Sequence, residues 1–343
     1  VGARVISKLT RTEREQIAAK RIVNVLRAQG VANLRTLEQK IADAGPNPQR
    51  VQPHILTPVK ARMVKDGRLV QRSLGNAQWL HLAEENPRRV ADRLNELQPL
   101  WTELTEKKTT GRTGQALEVA TFRAIVTADG VTPYGGFFDL EAHGDDRAYS
   151  KEDIHNFNGR SLNKRSLDFL VAVAGDHCGI EVKNIRPWIY PHAEEVRETI
   201  DKALTLGVIP VLVARRIPYA TFRILGACGV IMHETYTQLM ANADAALAAK
   251  VRHKDLLGYH DVRVGNEPDV RLTKFISENL PSLVPEARKK LVVYGDLLKA
   301  FATGVIVHKE FEAQVHRRNR GQNEDADRLA TLFDEDHDPY DLE

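Results

Sequence analysis

Asp168, Glu181 and Lys183 stand in one stretch, residues 167–184, reading LDFLVAVAGDHCGIEVKN. Two apolar runs, 167–174 and 179–182, flank turn-forming residues at 175–179, a pattern that predicts a β-hairpin. Alternate side chains of a strand share a face, so Glu181 and Lys183 point one way and Val182 the other, into the core. If the hairpin closes in ordinary register, Asp168 at the start of the first strand comes near Glu181. Two carboxylates and an ammonium then meet at a sheet edge. Oxygen ligands of this kind suit hard cations such as Mg²⁺, which are held by one or two carboxylates plus substrate phosphate. Such an ion acidifies water and offsets charge on a phosphoryl group, and an adjacent lysine steadies the developing charge.

The spacing, an aspartate, twelve residues, then Glu-Val-Lys, resembles the PD-(D/E)xK nuclease superfamily; the proline before the aspartate is replaced by Leu167. The resemblance spans 109–240 and implies a restriction-endonuclease-like mixed sheet flanked by helices. It implies a metal-dependent endodeoxyribonuclease that hydrolyses phosphodiester bonds with Mg²⁺, Mn²⁺ substituting. Asp168, Glu181 and Lys183 would be catalytic, and Asp168 and Glu181 metal ligands. Members of the superfamily often draw a further acid from a first helix, and Glu118 has that place in chain order, as catalytic residue and ligand. A glutamate in a first helical turn is also favoured by the helix dipole alone. Asp139 is a reserve ligand.

Two other Glu-x-Lys triplets, Glu38-Gln39-Lys40 and Glu106-Lys107-Lys108, fall in helical sequence, where i and i+2 do not share a face. The hairpin triplet is set apart by the elements downstream of it. Helical periodicity at 193–206, an apolar strand at 208–214, a helix at 219–227 and a short strand at 229–233 read as α/β architecture. An ordinary α/β sheet with charged strand ends is the bland alternative. Arg215 and Arg216, at a strand's carboxyl end, are as well explained by solvation as by phosphate contact.

Further out, the elements that would deliver a substrate come from the basic N-terminal part. Residues 1–83 carry fifteen Lys/Arg against five Asp/Glu, while 324–343 carry nine Asp/Glu against one Arg. The basic end calls for a polyanion; the acidic tail reads as disordered solvating sequence, with a DNA mimic guarding the basic surface as the alternative. Thr12 and Glu15 suggest a capping box for a helix to about residue 28. Helices at 34–44 and from Pro58 to Gly67 come next, then strands at 68–72 and 77–82. Three helices and a hairpin resemble a winged helix-turn-helix domain over 1–90. That resemblance makes Lys60, Arg62, Lys65 and Arg68 DNA contacts from the third helix, with Arg72 on the wing. A solvated basic face used for packing or dimerisation remains the alternative.

Between the two lies a linker helix at 91–108, interrupted by Pro99, and a polar loop at 107–114 taken as the domain boundary. The long stretch 128–166, poor in periodicity, holds a short strand expected at 137–140 and the basic residues Arg160, Lys164 and Arg165, placed to touch DNA beside the site. A helical C-terminal extension at 241–323 with a buried segment at 292–301 precedes the tail at 324–343.

A chain of 343 residues with 42% hydrophobic and 28% charged content suits two or three globular domains. No run approaches the ~20 apolar residues of a membrane span. The first residues lack an apolar signal core, and only Cys178 and Cys228 are present, arguing against a disulfide framework or structural zinc; a cytoplasmic setting is the expectation. The partner expected is double-stranded DNA, with a possible homodimer. A separate reader domain favours a restriction-type enzyme over a repair or junction-resolving nuclease. The contrasting reading is a DNA-binding regulator whose nuclease-like domain is catalytically silent.

Overall fold

The structure is a computed structural model that describes residues 9–42, 51–138, 140 and 149–322. Asp139 and the acidic tail lie outside the described residues. The chain divides into two units, residues 1–111 with 243–264 and residues 112–242 with 265–343. One border of this division, after residue 111, falls within the boundary expected at 107–114, while residues 243–264 of the expected C-terminal extension belong with the N-terminal unit.

In the first unit, α1 (Arg11–Gln29) is followed by β1 (Ala32–Asn33), α2 (Leu34–Ile41) and α3 (Pro53–Lys65), then β2 (Leu69–Leu74), β3 (Ala77–Leu82) and α4 (Pro87–Thr105). The strands form an antiparallel sheet in the order β1-β3-β2. Ile22, Leu26, Leu37, Leu56, Val59 and Leu80 are buried in its core. The capping box is two residues earlier than expected: Thr10 Oγ1 accepts the Glu13 N–H, and Glu13 reaches back to Thr10. Helix α3 starts at Pro53, not Pro58. A proline suits the first turn, and Pro58 is carried inside the helix.

Helix α5 (Lys107–Val126) runs through the expected loop at 107–114. Its glycines each cost a helix about 1 kcal/mol, but the first turn is closed by the Thr110 N–H and hydroxyl, both donating to the Glu106 carbonyl. The second unit continues with β4 (Val131–Tyr134), the small hairpin β5 (Asn156–Phe157) and β6 (Arg160–Ser161), β7 (Phe169–Val173) and β8 (Asp176–Lys183). Then come α6 (Glu194–Leu206), β9 (Ile209–Ala214), α7 (Tyr219–Ala227) and β10 (Ile231–Glu234). The five-stranded sheet has the order β10-β9-β8-β7-β4. β8, β9 and β10 are parallel, and β7 and β4 antiparallel to their neighbours. It is a mixed sheet flanked by helices. Where a strand is expected at 137–140, the described residues form a single bridge, Phe137 to Lys151.

After α8 (Ala245–Arg252), in the first unit, α9 (Val270–Lys274) passes through a π-turn (Phe275–Asn279) into α10 (Leu280–Ala302), and α11 (His308–Asn319) comes last. The segment expected to be buried at 292–301 is amphipathic instead. Leu297, Leu298 and Phe301 are buried, while Val292 and Val293 face solvent.

Candidate functional site

The hairpin β7–β8 turns at Ala174-Gly175, with φ of 50° and 78°, the two-residue turn whose twist matches paired strands. The turn is shorter than expected, and Asp176–Cys178 already belong to β8. Its register pairs Phe169 with Ile180, so Asp168 stands opposite Glu181. One Asp168 carboxylate oxygen accepts the Val182 N–H at 2.8 Å. Lys183 Nζ lies 2.8 Å from Glu181 Oε2, as strand alternation requires. Glu181 is 1% exposed, a burial that β8 imposes by being covered on both faces.

Helix α5 brings Glu118 to the same place, with Leu117, Val119 and Ala120 buried beside it. The buried Asn184, next to Lys183, fixes that approach. Its amide donates to the carbonyls of Thr113, five residues before Glu118, and of Leu239, while its carbonyl accepts the Leu239 N–H at 3.2 Å.

Two lysines complete the cluster without any sequence signal having pointed to them. Lys151 Nζ lies 2.7 Å from Glu118 and 3.2 Å from Asp168. Gln115 holds that segment against α5, donating to the Tyr149 carbonyl at 2.9 Å and accepting its N–H at 2.8 Å. From α6, Lys202 Nζ reaches Glu181 Oε1 at 2.9 Å. Lys202 lies one α6 turn before the buried Leu206, but nothing in its spacing points to Glu181.

Burial, then the charge of Asp168, raises the pKa of both Glu118 and Glu181; Lys151 opposes this at Glu118, Lys183 and Lys202 at Glu181. Burial works against charge on Lys151 and Lys183 too, yet each is held above the ordinary lysine range by facing carboxylates. The result is an alternating array of three carboxylates and three ammonium groups. Among the described residues, no three acidic, histidine or cysteine side chains gather as ligands round one point. Lys151 bridges Glu118 and Asp168, while Lys183 and Lys202 flank Glu181.

The other expected contact residues are scattered. In the first unit Arg62, Lys65, Arg68 and Arg72 are exposed and Lys60 is half-buried; Arg62 pairs with Glu15 at 2.6 Å. In the second, Arg160 and Lys164 are exposed on and beside the β5–β6 hairpin, and Arg165 pairs with Asp201. Arg215 is 2% exposed and donates to the carbonyls of Ile185 and Arg186. It ties the chain after β8 in place, so phosphate contact by Arg215 is ruled out. Arg216 pairs with Glu234 at 3.2 Å.

A second basic feature is an open cleft of about 470 Å³ in the first unit, with Lys40, Arg89, Arg93 and Lys254 in its wall. Arg89 and Arg93 donate there to the carbonyls of Arg27, Ala28 and Gln29. These cations cap the carboxyl end of α1, the end that attracts positive charge.

Compared with protein-family models, with curated proteins and with solved structures, the chain matches none.

Proposed function

We propose that the protein is a divalent-metal-dependent DNA endonuclease of the PD-(D/E)xK kind. The observation that carries the reading is the convergence of Glu118, Asp168, Glu181 and Lys183 at the ends of β7 and β8, with Asp168 opposite Glu181. Residue type and spacing in the sequence single out Asp168, Glu181 and Lys183, and Glu118 is added by the resemblance.

The chemistry of the donor set, though not its present geometry, suits Mg²⁺ or Mn²⁺. Glu118, Asp168 and Glu181 supply only carboxylate oxygens, the ligands hard cations take. Burial and then the charge of Asp168 raise the pKa of both glutamates, and a cation beside them would oppose that as the lysines now do. When bound, the ion would supply an acidified water and charge neutralisation at phosphorus. Lys183, fixed beside Glu181, is placed to steady negative charge on a substrate phosphoryl oxygen. Asn184 and Gln115 keep α5 and the Lys151 segment in register with the strands.

In this reading the first unit is a winged-helix reader of double-stranded DNA, a proposal supported by its order of three helices and a hairpin and the exposed basic face of α3 and β2. A reader joined to a nuclease favours a restriction-type enzyme. That step is an analogy of architecture.

One observation favours a second reading, a DNA-binding regulator with a silent nuclease-like domain: each acid of the cluster is already paired with an ammonium. Nicking of supercoiled plasmid by the full chain, with Mg²⁺, with Mn²⁺ and with chelator, decides between them. Metal-dependent nicking that disappears in Asp168→Asn supports the enzyme. Duplex binding with no nicking under either metal supports the regulator.

A further inference from the structure

Lys151 is a built part of the site. Its ammonium lies 2.7 Å from Glu118 and 3.2 Å from Asp168 with the side chain 12% exposed. The Phe169 and Phe137 rings lie 5.4 and 5.9 Å away. Its backbone is set by the bridge to Phe137, by the Glu152 N–H donating to the Gly136 carbonyl at 2.9 Å, and by the Gln115 clasp on Tyr149. A half-buried acid pair without a counter-charge is expensive, and here the protein supplies its own cation. Outward of these bonds, the exposed carboxylate of Asp153 lies 3.9 Å from the same ammonium. Lysine is a flexible point charge on a four-carbon stem, so a second acceptor on the solvent side gives it somewhere to go.

We propose that the Lys151 ammonium is an internal counter-ion that competes with a divalent cation for Glu118 and Asp168, leaving them when metal binds. This rests on the metal-dependent reading above and adds its regulation: metal entry must displace a charged side chain, so affinity is held down and the metal-free site is kept ordered. Lys151 is thus a positioning residue, distinct from Lys183, whose partner is Glu181.

The test is calorimetric titration of the full chain with Mn²⁺, wild type against Lys151→Met. The methionine keeps the stem and removes the charge, and should bind Mn²⁺ at least ~10-fold more tightly, since no ion pair must be broken first. Equal or weaker binding by a folded variant overturns the proposal. A second measurement needs no mutation: amine labelling of the wild type, read by peptide mass spectrometry, should rise at Lys151 on saturation with Mn²⁺. Labelling that stays low while Mn²⁺ binds overturns the proposal even where Lys151→Met fails to fold, and leaves the metal-dependent reading standing. Flat titrations for both proteins remove that reading and this inference together.

Discussion

Asp168 accepts the backbone N–H of Val182 at 2.8 Å, across the hairpin, with one carboxylate oxygen, while its other oxygen faces Lys151. The aspartate is therefore oriented by the strand that carries Glu181 and Lys183. An acid aimed in this way holds its orientation without a ligand, the kind of preorganisation that the nuclease proposal requires of it.

Because that orientation and the acid's charge are separable, substitutions at the cluster should divide cleanly. Asp168→Asn and Glu181→Gln are expected to lose metal-dependent cutting while duplex binding by gel shift stays within about 2-fold, since phosphate contacts elsewhere set affinity. Lys183→Ala should lose ~10²-fold or more in single-turnover cleavage rate. Near-normal cutting by Asp168→Asn and Glu181→Gln would remove both from the chemistry, and a normal rate in Lys183→Ala would make that lysine structural.

Gly136 tests the wall behind Lys151. Its φ is +140°, and a Cβ built there would lie 2.1 Å from the Phe122 ring. Phe122 stacks on Phe169 at 5.6 Å and meets Phe137 edge-on at 5.7 Å. Gly136→Ala must therefore move a packed aromatic cluster, and overpacking of this kind costs about 1–3 kcal/mol. Urea unfolding should show that loss. A midpoint unchanged from wild type would mean that Phe122 has room to move.

The acid limb of stability should carry the signature of Asp176, at the start of β8. Arg288 on α10 grips its carboxylate with two nitrogens, at 2.6 and 2.5 Å, and these bonds hold its pKa below the ordinary aspartate value of 3.8. A lowered pKa in the folded state means the unfolded chain binds more protons there. The contribution is complete above about 3.8 and is lost as pH falls through the lower, folded value. Arg288 is 38% exposed, so solvent screening keeps the effect near ~1 kcal/mol. Asp176→Asn should lower the unfolding free energy at pH 6 by about that much and flatten its decline below pH 4. An equally steep acid limb would assign the decline to other carboxylates.

The legibility of this molecule depends on how local each signal is. Asp168 and Glu181 could be brought together in advance because a hairpin has a period of two and a short turn, so sequence spacing converts directly to register. Even there, the abundance of glycine at 175–179 misplaced the turn, since Ala174 takes a positive φ that its side chain gives no reason to expect. The glycines of 107–114 misled in the same direction: helix continuity outweighed their propensity. Lys151 was out of reach. Its meeting with Glu118 and Asp168 depends on the Phe137 bridge at the end of a stretch with no periodicity, and no spacing rule carries a side chain across such a distance. In α10 the apolar count at 292–301 was legible, but which of its residues face out was decided by α6 and α11 packed against it.

Glu15 and Arg62, in the first unit, meet side chain to side chain at 2.6 Å, with the Arg62 side chain 54% exposed and that of Glu15 20% exposed. If α3 meets duplex DNA, a phosphate must compete with Glu15 for that guanidinium. Removal of the acid and removal of the cation should then act in opposite directions. Glu15→Gln frees Arg62 and removes a negative charge from the face, so the full chain should bind duplex DNA several-fold more tightly at low salt. Arg62→Ala should bind more weakly, and the slope of log affinity against log salt should become shallower by roughly 0.9, the share of one phosphate contact. Replacement of Lys60, Arg62 and Lys65 together should flatten it further without changing Mn²⁺ affinity, because these residues belong to the other unit from the acidic cluster. A base contact among the three would show as a loss of about 1–3 kcal/mol confined to one sequence. Gel-shift titration at several salt concentrations separates these outcomes. Unchanged affinity and slope in all three variants, with a concentration-dependent dimer by sedimentation, would make this face a protein interface.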